Sequence, residues 1–482
     1  MIIQSAWQLA FDFLGKNPVV VEPSEGTLTS DAGLLPIRQF DEQIGLTAQM
    51  ASVLDDPRDP ASIDHTFLEM VRMRVYGILA DYPDQNDHDV LRGDPVFKLL
   101  AGRSPEGTDL ASQPTLSRFE NMVSVASLLR LEELQVQQFA DAFSQRPARV
   151  VLDMDVFDDP THGDQQLTFW HDYYGQYQYF VRAITCANND LVAMACLLHG
   201  SAHPALGADD DLRRVVRAIR DRFPDVQILL RADSGFGVPT MYDVCEELRI
   251  DYEIGVRMNP TLKQRSQPLL EEVQRRYEET HQPQRDAMVF EYRAGSWTHS
   301  RCCIVKAETT GEGSNRRAVL TNRPGVFLYP LAAYEEFADR GESENRNKEL
   351  KCGLQADRLS DHRYMANLFR VNLHLAAHNL LVRLRQVVAD PPPEDPQAEL
   401  PREALPQPER RRWFSRRRQH DPLGEGHPCT WRTHLIKVAA QVVVRARRVI
   451  VRLASNWPYL DYYQRVSRVV LALGPPGQLE PG

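Results

Sequence analysis

From residue 149 onward the apolar residues stop recurring at helical spacing and gather into short runs, two of which end on an aspartate. The first is Val150-Val151-Leu152-Asp153-Met154-Asp155. The second, 226–233, closes on Arg231-Ala232-Asp233 and is followed by Ser234-Gly235-Phe236-Gly237. Short apolar runs bounded by turn residues read as strands. Strand candidates fall at 149–155, 178–185 and 190–198, the last two joined by the tight-turn pair Asn188-Asn189. A helix over 209–223, a strand at 226–233, a helix near 239–249 and a strand at 252–257 complete the series.

This β-β-β-α-β-α-β order predicts an α/β fold with a ribonuclease H-like mixed-sheet core. Such a core sets the ends of its first and fourth strands side by side, where α/β sheets usually bind ligands. Residues 260–330 are expected to interrupt it as a β-rich insertion, with a charged helix over 262–277 and strands at 287–293, 300–308 and 317–322. The chain then returns to a helix carrying Glu344 and to a long amphipathic helix over 362–388 with Met365, Leu368, Phe369, Leu375, Leu380 and Leu384 inward.

Two strand-end carboxylates, Asp155 and Asp233, and the helix carboxylate Glu344 make a hard oxygen site suited to Mg²⁺. Two such ions about 4 Å apart can activate a nucleophile and stabilise the leaving oxygen of a phosphodiester. Arg340, Lys348 and Lys351 lie four before, four after and seven after Glu344, on one face of a continuous helix. They read either as a surface ion-pair ladder, worth little, or as cations that grip phosphates. Asp153 competes with Asp155 for the first ligand position, because residues two apart on a strand share a side. Asp158, Asp159 and His162 read as turn residues. His374 and His378 have zinc-like spacing but no acidic base beside them, and read as helix-face residues.

Residues 1–148 read as an N-terminal helical domain. Thr29-Ser30-Asp31-Ala32-Gly33 offers caps for a helix beginning at Leu34, and a second helix is expected over 63–79. Ser112 and Pro114 suit the start of another helix, which places Thr115, Ser117 and Arg118 near its N-terminus. A recognition helix meets DNA there, although any capped surface helix looks similar.

Net charge is −10, which counts against nucleic-acid binding, but from residue 401 onward there are 15 Lys or Arg against 6 Asp or Glu. Binding to a phosphate backbone depends on local basic patches. A Pro-rich linker from Asp390 leads to Arg410-Arg411-Arg412-Trp413-Phe414-Ser415-Arg416-Arg417-Arg418, where cations flank two aromatics that could stack on bases; a solvated linker or a docking segment is the equal alternative. A final basic helix is expected over 431–455. Seven Cys without a CxxC pair, and no apolar stretch of membrane length or leader-like start, lead us to expect a reduced, cytoplasmic chain outside the membrane.

With these residues in place, the sequence resembles DDE transposases of bacterial insertion sequences with a β-rich insertion, in the branch named insertion sequence thirteen-eighty. The resemblance runs from about Leu28 to Leu384. It is carried by Leu28-Thr29-Ser30-Asp31-Ala32-Gly33-Leu34-Leu35, Asp55-Asp56-Pro57-Arg58-Asp59-Pro60, Asn86-Asp87-His88-Asp89, Ala111-Ser112-Gln113-Pro114-Thr115-Leu116-Ser117-Arg118, Leu152-Asp153-Met154-Asp155, His162-Gly163 and Leu230-Arg231-Ala232-Asp233-Ser234-Gly235-Phe236.

The resemblance implies Asp155, Asp233 and Glu344 as catalytic metal ligands for two Mg²⁺, with Mn²⁺ able to substitute, and favours Asp155 over Asp153. The family's Tyr-x2-Arg-x3-Glu-x6-Lys signature falls on Phe337, Arg340, Glu344 and Lys351. Phe337 lacks the hydroxyl of the usual Tyr, and Asp155 is not followed by the family's Ala-Thr. The implied reaction frees 3′-hydroxyls at terminal inverted repeats and joins them to target DNA, with DNA contacts at Arg340, Lys351, Lys348, Arg118 and Ser117. The implied assembly is a homodimer in a synaptic complex, associated with the bacterial nucleoid. Its rivals are a ribonuclease H-like nuclease without strand transfer and a non-catalytic DNA-binding protein on the same scaffold.

The expected division is a DNA-binding and dimerisation domain at 1–148, the core at 149–259 and 331–389 around the insertion at 260–330, and a linker with basic tail at 390–482.

Overall fold

The computed structural model describes residues 8–11, 19–22, 26–295, 297–390 and 419–474. Strands β1 (Leu9–Phe11) and β2 (Val19–Val21) pair with each other, and β3 (Leu28–Thr29) leads into helices. These are α1 (Leu34–Ile44), α2 (Leu46–Ser52), α3 (Phe67–Leu79), α4 (His88–Leu91), α5 (Pro95–Ala101), α6 (Gln113–Met122) and α7 (Val125–Asp141). Helix α3 begins at Phe67, later than expected, because Thr66 and Glu69 close a capping box there. The caps expected at residues 29–31 are not used: the N-cap of α1 is Gly33, without a side-chain bond. Asp31 is buried instead, and is held by Tyr82 at 3.1 Å and Lys437 at 2.7 Å.

The expected strand and helix order follows with one strand added, β5, and a first strand that runs past Asp155: β4 (Arg149–Pro160), β5 (Phe169–His171), β6 (Gln176–Cys186), β7 (Val192–Leu198), α8 (Ala208–Arg222), β8 (Gln227–Ala232), α9 (Pro239–Glu247) and β9 (Asp251–Val256). Next come α10 (Pro260–Arg265), α11 (Gln267–Thr280), β10 (Gln284–Tyr292), β11 (Arg301–Thr310) and β12 (Gly313–Thr321). All nine strands from β4 to β12 form one mixed sheet, in the order β10-β11-β12-β9-β8-β4-β6-β5 with β7 also on β6. Only the β4–β8 and β8–β9 pairs within it are parallel. Strands β10 to β12, in the expected β-rich stretch 260–330, continue this sheet. Ala318 to Thr321 of β12 pair with β9, and the meander widens the sheet.

The chain remains helical from α12 (Pro330–Ala338) through a 3₁₀ turn (Asp339–Glu342), α13 (Ser343–Lys348) and a π-helical turn (Glu349–Gly353). Helix α14 (Tyr364–Val388) is buried along most of its length, packed against α3, α6 and α7 on one side and β7 on the other. It joins the helical region to the sheet. His374 and His378 are buried in it, as helix-face residues.

Residues 431–455 are not a helix. After α15 (Pro428–Trp431) and a π turn, strands β13 (Ala440–Arg445) and β14 (Arg448–Leu453) form a hairpin, and α16 (Leu460–Ala472) follows. Val442-Val443-Val444 and Val449-Ile450-Val451 are β-branched runs that suit a pleated, half-buried surface, and they pair with each other. Nor does this region behave as a tail. Trp431, Leu435, Ile436, Val438, Val466 and Val470 are buried in the core formed by the N-terminal helices. Gly33 has no side chain because a Cβ there would lie 1.8 Å from the Leu435 carbonyl oxygen. The Arg410–Arg418 segment lies outside the described residues, as does most of the Pro-rich linker.

Candidate active site

Strands β4 and β8 run parallel with Met154 opposite Ala232, so Asp155 and Asp233 are the next residues of adjacent strands. Asp233 Oδ1 accepts from Gly235 N at 2.8 Å, which caps the 3₁₀ turn Ser234–Phe236 and directs the chain away from the sheet. Gly255 on β9 allows this turn to lie close, since a Cβ there would meet Ser234 N at 2.9 Å.

Asp155 Oδ1 accepts from Val156 N at 2.9 Å, while Oδ2 accepts from Arg340 at 3.0 Å and from Asn347 Nδ2 at 3.3 Å. Burial pushes its carboxyl up to about 6, against the pull of the Arg340 guanidinium and with a further push from the charge of Asp233. Two carboxylates thus share a poorly solvated place, an arrangement that favours a bound cation.

Asp153 does not compete for that place. It is fully buried and held in a fork by Arg231, with Nε–Oδ1 at 2.7 Å and the second pair at 2.8 Å. The same guanidinium donates to the Glu336 carbonyl at 2.8 Å, which ties α12 to the middle of the sheet. Arg149 and Arg323 hold the Glu336 carboxylate.

Downstream, Lys351 Nζ lies 2.6 Å from Asp158 Oδ1, and Asp158 Oδ2 accepts from Gln176 at 3.1 Å. Asp158 and Asp159 are strand residues of β4 and not turn residues. Asp159 is fully buried, and burial together with the neighbouring Asp357 pushes its carboxyl up to about 8.

Arg340, Glu344, Asn347 and Lys351 follow i, i+4, i+7, i+11 spacing along the helical stretch. Three of them reach β4: Arg340 and Asn347 at Asp155, Lys351 at Asp158. Glu344 sits on this stripe between the two that touch Asp155. Its side chain is exposed, however, and among the described residues no three His, Cys, Asp or Glu side chains are gathered as a metal-holding group. The structure brings Asp155 and Asp233 together and places Glu344 on the adjoining helix face, where Arg340 supplies the positive charge that Asp155 faces.

Lys348 is exposed beside Glu344. In α6, Arg118 is exposed and donates to Thr115 Oγ1 at 3.1 Å, while Ser117 is half-buried and its carbonyl accepts from Asn121. These contacts do not link α6 to Asp155 or Asp233. Phe337 packs with Tyr334, ring centroids 5.8 Å apart, in the cluster under β10 to β12, so this position serves apolar packing.

Sequence reasoning missed two neighbours of the site. Asn347 could have been found from its seven-residue spacing to Arg340. Tyr174 carries no sequence signal: burial raises its hydroxyl above the ordinary range, and the charges of Asp158, Tyr173, Asp155 and Asp233 add to the shift.

A large mixed α/β sheet with two carboxylates on adjacent parallel strands and a basic helix stripe beside them defines a class of candidate phosphoryl-transfer sites. The family described as transposase DDE domain group 1 matches residues 11–397 of the chain. The chain belongs to that family. The match reaches further at both ends than the motifs read from the sequence. A solved structure, "Cryo-EM structure of piggyBac transposase synaptic complex with hairpin DNA (SNHP)", is similar at 12% identity and a TM-score of 0.35, covering 75% of this chain and 77% of that one. No curated protein matches. Among the described residues, no helix is long and apolar enough to cross a membrane.

Proposed function

We propose that the chain is an active DDE transposase of the insertion sequence thirteen-eighty branch, of bacterial origin, with a ribonuclease H-like core. On this reading it cuts DNA at terminal inverted repeats and joins the freed 3′-hydroxyls to target DNA. The observation that carries the reading is the adjacency of Asp155 and Asp233 on parallel strands, in a chain of a DDE transposase family.

Asp155, Asp233 and Glu344 would hold Mg²⁺. The donors fit a hard cation: all are carboxylates, and burial disfavours the unneutralised charge of Asp155. Divalent ions at such a site activate water or a hydroxyl and stabilise the leaving oxygen of a phosphodiester. The protein's own part is positioning. Arg231 anchors α12 to the sheet, and Lys351 ties the far end of the helical stretch to β4, so the stripe carrying Glu344 is fixed at both ends. Arg340 neutralises Asp155 in this state and is placed to turn to a phosphate, while Lys348 and Lys351 add positive charge along the same face. The helices before residue 149, including Ser117 and Arg118 of α6, bind the inverted repeats and pair two ends, which requires at least two protomers.

The test uses DNA carrying the inverted repeats that flank the coding sequence, incubated with the full chain and Mg²⁺. Nicked ends bearing 3′-hydroxyls, and joined products when pre-cut ends are supplied, are expected. Cutting without joining would mark a nuclease, and binding without either would mark a non-catalytic protein.

A further inference from the structure

Beside the acidic site stands a hairpin whose aromatic side chains face solvent. Strands β5 and β6 pair from Phe169↔Gln178 to His171↔Gln176, leaving the four-residue turn Asp172-Tyr173-Tyr174-Gly175. Gly175 takes φ of 64° and donates from its N–H to the His171 carbonyl at 2.8 Å, which closes the turn. Trp170 is 51% exposed, Tyr173 85% and Tyr177 56%. Large rings usually bury themselves, and a contiguous exposed set marks a binding surface.

The rings are ordered among themselves. Trp170 and Tyr177 meet edge-on at 5.5 Å, and Tyr173 meets Tyr174 at 5.0 Å. Tyr174 in turn packs 6.0 Å from Phe180, the residue paired with Asp158 across β4 and β6. The turn therefore folds back toward the strand that carries Asp155. Gln176, next to the turn, bonds Asp158, which Lys351 also holds. Gln176 and Tyr174 thus tie the hairpin to the strand that carries Asp155 and, through Asp158, to Lys351 of the helical stretch.

We propose that this hairpin is a stacking surface for unpaired bases of the DNA strand that enters the acidic site, with Trp170 and Tyr173 as its principal faces. The proposal rests on the reading of the acidic site as a DNA-cutting centre. A strand whose phosphates lie along Arg340, Lys348 and Lys351 presents its bases outward from the backbone, and exposed rings next to a cationic track are the arrangement that holds single strands irrespective of sequence. Unpaired bases are the fitting occupant, because paired bases in a duplex offer edges and not faces.

The experiment measures binding of a fluorescein-labelled oligothymidylate, and of a blunt duplex of equal length, to the full chain and to Trp170→Ala, Tyr173→Ala and Tyr173→Phe. Roughly 5- to 100-fold weaker single-strand binding is expected for each alanine variant. Duplex binding should be little changed, and Tyr173→Phe should bind as wild type does. Photocrosslinking of an iodouracil-bearing strand to the unmutated protein should map to residues 169–177, a reading that does not depend on how a variant folds. Alanine variants that bind the single strand as tightly as wild type, crosslinks confined elsewhere, or a loss of self-association without loss of strand binding would each overturn the proposal. Asp233→Asn should bind the strand normally, so a failure of the catalytic reading shows in cleavage and a failure of this one shows in strand binding.

Discussion

Arg231 holds Asp153 through two parallel bonds of 2.7 and 2.8 Å between neighbouring central strands, and both side chains are buried. The pair occupies both carboxylate oxygens of Asp153, and the same guanidinium ties Glu336 of α12 to the sheet.

Replacing Arg231 by Met should therefore leave a buried carboxylate without its partner. Breaking such a pair typically costs about 3–5 kcal/mol. Urea unfolding should show a loss of this size, whereas Asp155→Asn should leave stability undiminished, because the native fold already disfavours ionised Asp155.

Glu344→Gln should separate activity from stability in the opposite way to Arg231→Met. The side chain is exposed and has no hydrogen-bond or ion-pair partner among the described residues. Surface changes of this kind usually stay within about 0.5 kcal/mol. Unfolding should match wild type while Mg²⁺-dependent nicking falls at least roughly 100-fold, the scale expected when an electrostatic group is lost from a reacting centre. Wild-type nicking rates in this variant would remove Glu344 from the site.

The sign of the pH dependence follows from Asp155. Its carboxyl lies at about 6 in the folded chain against an ordinary 3.8. The folded state binds that proton more tightly, so its stabilising contribution is full below about pH 3.8 and is lost as pH rises through about 6. Divalent ions need the ionised form, so the two equilibria oppose each other. Mn²⁺ affinity measured by calorimetry should rise about tenfold per pH unit below 6 and level off above it. Arg340→Ala should move the break upward, because Arg340 pulls the carboxyl down.

Trp431→Ala tests whether the C-terminal segment belongs to the core. Trp431 is fully buried, and its indole donates to the Leu423 carbonyl at 2.9 Å. Truncating a buried Trp costs about 3–5 kcal/mol. A single cooperative unfolding transition moved by that amount is expected. An early, separate transition for residues 419–474 would show that the segment folds independently.

The strands that carry Asp155 and precede Asp233 are legible because apolar runs closed by polar residues leave little alternative to strands, but β4 does not end at Asp155 and continues to Pro160. The adjacency of Asp155 and Asp233 follows from the parallel pairing of the two strands, although Asp155 lies within its strand and only Asp233 at a strand end. The choice between Asp153 and Asp155 was not readable, since it depends on Arg231 lying on the neighbouring strand, a contact between residues far apart in sequence. The expected basic helix over 431–455 passes over two β-branched runs, Val442-Val443-Val444 and Val449-Ile450-Val451, that pair with each other in a local hairpin. The continuity of β12 with β9 is not legible because it is a pairing across two helices and a meander. Glu344 lies on a helix, as its sequence context reads, while its exposure and the contact of Arg340 with Asp155 are tertiary features that spacing does not reveal.

The most direct test is a cleavage assay on DNA carrying the flanking inverted repeats, with wild type and Asp233→Asn compared in Mg²⁺ alongside a binding measurement. The account predicts 3′-hydroxyl nicks at the repeat end with wild type, and loss of nicking with retained binding in the variant. Equal nicking by both proteins, or no nicking by wild type in any divalent ion, would contradict it.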